Sequence, residues 1–151
     1  MKSVPIFLLF SVLIFGLLSS CSSAGETPVS EGEPSLLLDR PSPPAEYAGL
    51  KSPKMSDSDI EEGKNKYQIN CASCHGESGL GDGPASASLD PKPQPLALNE
   101  SGLSDGYLFW RISEGGLQDP FNSAMPSWKS VLNEEQIWQV IAYLHQLGKD
   151  N

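Results

Sequence analysis

The sequence predicts an all-α fold, a small domain of about three to four short helices preceded by a long stretch that builds no core of its own. Three observations predict it. Ile137, Val140, Ile141, Leu144 and Leu147 recur at helical spacing near the C-terminus. Cys71-Ala72-Ser73-Cys74-His75 is the only place where two cysteines and a histidine fall within five residues, and its flanks read as helix and loop, not as strands alternating with helices. Residues 22–55 turn to Pro, Ser, Glu and Gly, with six prolines in thirty-four positions. Such a composition cannot bury enough surface to offset the entropy of ordering it.

At 151 residues the chain allows one domain with appendages. Residues 1–20 carry one charge, Lys2, then an apolar run from Val4 to Leu18, then Leu18-Ser19-Ser20-Cys21. That is the layout of a secretory signal peptide. The run is shorter than the roughly 20 residues that cross a bilayer. Leu-Ser-Ser-Cys resembles the lipobox of bacterial lipoproteins, which implies that Cys21 is acylated and anchors the protein to a lipid bilayer. An ordinary signal peptide ending slightly later is the alternative. Residues 21–55 then form a flexible tether of about 30–35 Å root-mean-square span, around 110 Å at full extension. Within it the Leu36-Leu37-Leu38 cluster is the single apolar feature.

The haem domain is expected over residues 56–149. Two thiols separated by two residues can each add across a vinyl group of one haem, and the histidine that follows can bind its iron; C-x-x-C-H is the attachment signature of haem c. A zinc site would want further ligands, and only His145 and Cys21 remain to supply them. A redox-active dithiol would want alternating strands and helices. Covalent haem, one per chain, is therefore the expected cofactor, with Cys71, Cys74 and His75 holding it.

The first helix begins in Ser56-Asp57-Ser58-Asp59, where Ser58 with Glu61 fits a capping box. Ile60, Tyr67 and Cys71 share one face, and Gly63 on that face either admits a neighbouring helix or is a tolerated surface glycine. Gly76 to Pro84 is a glycine-rich loop, and a carbonyl near Pro84 is expected to accept the free ring N–H of His75. Ala85 to Glu100, with Pro91, Pro93 and Pro95, is an extended loop over the haem edge or the surface. A second helix spans about Ser104 to Ser113, capped by Ser104 or Asp105, with Leu108 and Ile112 inward and Gly115-Gly116 as its stop. Arg111 on it is a candidate partner for the haem propionates, or a solvated surface arginine. Met125-Pro126 follows in a loop. Met125 is the single methionine of the expected domain and a candidate second axial ligand; filling a core gap is its structural alternative. The last helix is capped by Asn133, buries the aliphatic stripe flanked by Trp138 and Tyr143, and is expected to end at Gly148.

Together these pieces resemble the class I c-type cytochromes across residues 56–149. The resemblance implies thioether bonds at Cys71 and Cys74, axial ligation by His75 and Met125, and Gly83-Pro84 lining the His75 side. It also implies that Gly63 and Tyr67 meet Val140 and Tyr143 where the terminal helices cross. It implies haem attachment outside the cytoplasmic membrane, in agreement with the export signal. The acylated cysteine and long tether depart from soluble members.

Residues 56–151 hold fourteen acids against six bases, a formal −8 before propionates. That balance excludes nucleic acid as a partner and favours membrane-bound redox proteins with a basic docking face. No catalytic constellation or small-molecule substrate is indicated. The expected role is that of a one-electron carrier between membrane-bound respiratory or photosynthetic complexes. The alternatives are a permanently bound haem subunit of a quinol-oxidising complex or terminal oxidase, and a haem enzyme or gas sensor with an open iron position.

Overall fold

Asn133 begins the element on which the rest packs. Its side-chain carbonyl accepts from the Gln136 N–H at 2.9 Å while the Gln136 side chain accepts from the Asn133 N–H at 3.0 Å, so two donors at the helix start are satisfied reciprocally. The helix that follows buries every residue from Ile137 to Leu144. A helix buried all round must have neighbours on every side.

Those neighbours come from a computed structural model that describes residues 40–96 and 102–150. The described residues form five α-helices and no strand: α1 Ala45–Ala48, α2 Asp57–Asn70, α3 Ala72–His75, α4 Asp105–Glu114 and α5 Glu134–Asp150, with a 3-10 turn at Ser86–Ser88. The all-α expectation holds, and α1 and α3 are single turns beside three longer helices. The signal-like segment, Cys21 and the leucine cluster lie outside the described residues.

Helix α2 crosses α5. Gly63 is buried at the crossing, and a Cβ there would overlap the backbone carbonyl of Gln139. Tyr67, fully buried one turn later, packs its ring 5.3 Å from that of Tyr143 and donates its hydroxyl to the Gly76 carbonyl at 2.7 Å. Gln139, buried on α5, reaches Asp59 at 3.1 Å and ties the start of α2 to the same crossing. Helix α4 packs on another side of α5, with Phe109 and Trp138 stacked at 4.5 Å between centroids.

Two local expectations shift. The capping box of α2 is built by Ser56 and Asp59, two residues earlier than Ser58 and Glu61: Asp59 Oδ2 accepts from the Ser56 N–H at 3.0 Å and Ser56 Oγ accepts from the Asp59 N–H at 3.3 Å. Aspartate reaches back as glutamate does, so both registers satisfied the pattern. Helix α5 runs past Gly148 to Asp150, because Gly148 is buried within the helix instead of turning it.

The larger departure is residues 40–55, expected as coil. They form a strap across α4. Tyr47 donates its hydroxyl to Glu114 at 2.7 Å and lays its ring 6.3 Å from Phe109; Leu50 and Met55 pack against the core; the Ser52 N–H donates to Asp105 at 2.9 Å. Gly106 makes this possible, since a Cβ there would overlap the Tyr47 carbonyl. Burial pushes the Asp105 carboxyl up, but the Ser52 N–H and His145 outweigh it and hold it below the usual range. His145 Nε2 lies 2.8 Å from Asp105, which occupies it away from any haem site.

Candidate functional site

Helix α2 ends at Asn70, and the chain turns through Cys71 directly into α3. The N–H groups of Cys74 and His75 both donate to the Cys71 carbonyl, at 3.1 and 2.9 Å, so the two thiols and the imidazole are held on one turn. All three side chains line a single apolar cavity, and the thiols are free of each other. Burial, and to a smaller extent the neighbouring Cys74, pushes the Cys71 thiol up to about 12. Burial also lowers the pKa of His75, offset in part by the Gln94 backbone, which must accept since it favours the charged ring. The contact is loose, because His75 Nδ1 is buried with no partner at full hydrogen-bond geometry.

Gln94, not Pro84, therefore stands beside the histidine. Gly83 seats against the Ala72 and Ser73 carbonyls, where a Cβ would clash, and Ala85 N–H donates to Ser73 at 2.9 Å. This turns Pro84 outward, where it is exposed and does not line the cavity. The proline-rich loop takes its place: Leu89 and the run from Pro91 to Leu96 all border the cavity. Leu96 donates its N–H to the Gly79 carbonyl at 2.6 Å, which closes this flap onto the glycine loop.

Met125 reaches the same cavity from the loop after α4. Gly115, at φ 72°, reverses the chain there; the Gly116 N–H then donates to the Met125 carbonyl at 2.8 Å, and the Trp128 N–H to that of Ile112 at 3.0 Å. Arg111 also borders the cavity, with its guanidinium donating to the Gly115 carbonyl and lying 3.3 Å from the Phe121 ring centroid. Burial lowers its pKa. One of its nitrogens is thus committed to backbone, and the expectation of a propionate partner rests on the others. Arg40 borders the cavity too, from the strap, where the surrounding prolines had hidden it as tether sequence.

The lining suits haem. It is largely aliphatic, aromatic and proline, it brings Cys71, Cys74, His75 and Met125 together, and among the described residues no carboxylate lines it. Among the described residues no three His, Cys, Asp or Glu side chains converge on one point, which disfavours the zinc alternative.

Comparison with known proteins agrees. A sequence model of the family described as cytochrome c oxidase, cbb3-type, subunit III, matches residues 58–144. Over 90 residues the chain is 30% identical to the cbb3-type cytochrome c oxidase subunit CcoP of Azospirillum brasilense, an alignment that covers 58% of this chain and 28% of that protein. In structure it is similar to a chain of the Kuenenia stuttgartiensis reducing HAO-like protein complex, with a TM-score of 0.54 and 26% identity over 66% of this chain and 47% of the other. Cytochrome cL of Methylophaga aminisulfidivorans aligns with a TM-score of 0.45 and 20% identity over 61% of this chain and 55% of the other.

Proposed function

The chain belongs to the cbb3-type cytochrome c oxidase subunit III family, whose domains carry covalent haem c, and from that premise we propose that it is a one-electron carrier serving membrane-bound redox complexes. Haem iron supplies the ferrous–ferric couple. Cys71 and Cys74 would hold the group through thioether bonds, and His75 and Met125 would bind its iron. With both of these side chains bound to the iron, no place would be left for a substrate or for oxygen, which is what would separate a carrier from an enzyme or a gas sensor. The supporting observation is the convergence of Met125 with the C-x-x-C-H turn on one largely apolar cavity. Arg111 is proposed as a donor to a propionate through the guanidinium nitrogens its backbone contact leaves over.

Replacement of Met125 by Leu is the test. The ferric wild type is expected to show the weak far-red absorption of an iron–thioether bond, and Met125→Leu to lose it with haem retained. Rapid carbon monoxide binding by the ferrous wild type would contradict the carrier reading.

We further propose that the haem domain works outside the cytoplasmic membrane, exported by residues 1–20 and anchored through acylated Cys21. The net charge of −9 suits a partner with a basic docking face, an encounter that salt should weaken. If Cys21→Ala leaves membrane association unchanged, the anchor is wrong. The second reading is a fixed subunit, favoured by the likeness to CcoP, of which the chain spans only 28%. Co-elution with a larger complex at constant stoichiometry in mild detergent would select it over the mobile carrier.

A further inference from the structure

Acids outnumber bases by nineteen to ten in this chain, yet among the described residues the cavity lining reverses the balance: it holds Arg40, Lys92 and Arg111 and no carboxylate. An apolar cavity with a wholly cationic set of charged groups calls for a flat apolar ligand that carries its own anions. Haem, with two propionates, is such a ligand. The three cations are not equally free to meet them. Arg111 donates to the Gly115 carbonyl and stacks on Phe121, and Lys92 is exposed to solvent. Arg40 alone has a guanidinium nitrogen, Nη1, that is buried with no hydrogen-bond partner among the described residues.

A buried, unpaired guanidinium N–H costs at least the desolvation of that group, on the order of several kcal/mol, unless an acceptor arrives. Arg40 borders the cavity, so an acceptor bound there could supply the partner. From this we propose that the strap delivers Arg40 to a haem propionate, so that a residue before the family-matched region 58–144 completes the haem site. The inference rests on the haem reading above.

The strap is built to hold Arg40 still. Pro41, Pro43 and Pro44 follow it and restrict the backbone, Pro44 having φ −51° and ψ 156°. Tyr47 and Ser52 then fasten the strap to α4 through Glu114 and Asp105. A propionate paired with Arg40 is held below its ordinary pKa. The cation also opposes the extra positive charge of the ferric state.

The test compares full-length haem-loaded wild type with Arg40→Gln and Arg40→Lys by redox titration across pH 5–9. In Arg40→Gln the reduction equilibrium is expected to fall threefold or more at pH 7, about 30 mV at roughly 59 mV per tenfold for one electron. The pH at which the potential starts to depend on pH should rise, and the propionate bending mode in the resonance Raman spectrum should shift. Arg40→Lys should recover most of the potential. An Arg40→Gln protein with haem attached and with wild-type potential, pH profile and Raman spectrum would overturn the inference and leave the haem reading intact. A colourless wild type would remove both. If Arg40→Gln fails to take up haem, Arg40→Lys decides: near-wild-type behaviour supports the pairing, and the same failure overturns it.

Discussion

A missing side chain at residue 63 sets the distance between the two helices that carry the fold. At Gly63 the atoms a Cβ would meet are backbone, the carbonyl of Gln139 and the amide of Val140, so no rotamer change can relieve the contact. Alanine would gain about 1 kcal/mol of helix propensity, but overpacking a tight contact costs about 1–3 kcal/mol, and here α2 must move off α5. Because the overlap is with backbone, the upper end of that cost applies, and we expect Gly63→Ala to destabilise the holo-protein by about 2 kcal/mol net, a fall of several degrees in Tm by thermal unfolding. A Tm equal to or above wild type would show the helices to be free to separate. This close approach was legible as a possibility, since a glycine on the apolar face of a helix invites it. Other residue-scale features were not. Nothing near Pro84 says that Gln94 borders the cavity in its place, because the outcome depends on Gly83 seating against α3, a contact made through backbone. Arg40 was illegible for a different reason: an arginine beside three prolines in a polar segment has the composition of a tether, and only the path of the chain brings it to the cavity.

At the scale of elements, the helices that follow from side-chain periodicity and caps were readable, and those held by tertiary contacts were not. Helix α5 announces itself by its stripe and by the Asn133–Gln136 cap; α4 does so by Ser104, whose Oγ accepts from the Tyr107 N–H at 3.2 Å, and by Gly115. The strap with α1 has neither signal. Its order comes from Tyr47, Leu50 and Met55 finding α4 and the core, and from Gly106 giving way beneath it. The hydrogen bond to Glu114, reinforced by burial, raises the Tyr47 phenol from its ordinary 10 to about 12. A folded-state pKa above the unfolded one gives stability that is complete below pH 10 and is lost as pH climbs through about 12. The difference in unfolding free energy between wild type and Tyr47→Phe should accordingly stay level up to pH 10 and shrink above it. Denaturant titrations at pH 7, 9 and 11 check this, and a difference that grows with pH would mean that Tyr47 does not anchor the strap in its neutral form.

At the scale of the whole domain, helices α2 to α5 and the loops between them line one largely apolar cavity among the described residues. A haem attached through Cys71 and Cys74, as proposed, would give these elements a common core, and the holo-protein should then be far more stable than the apo-protein. The same attachment makes the account directly testable. Full-length protein, expressed where haem c maturation is available, is denatured and extracted with acidified acetone, and the absorption of the protein pellet is measured. The haem is expected to stay with the polypeptide, about one per chain, and to become extractable or absent when Cys71 and Cys74 are both replaced by Ser. A wild-type protein that is colourless, or that gives up its haem to the solvent, would contradict it.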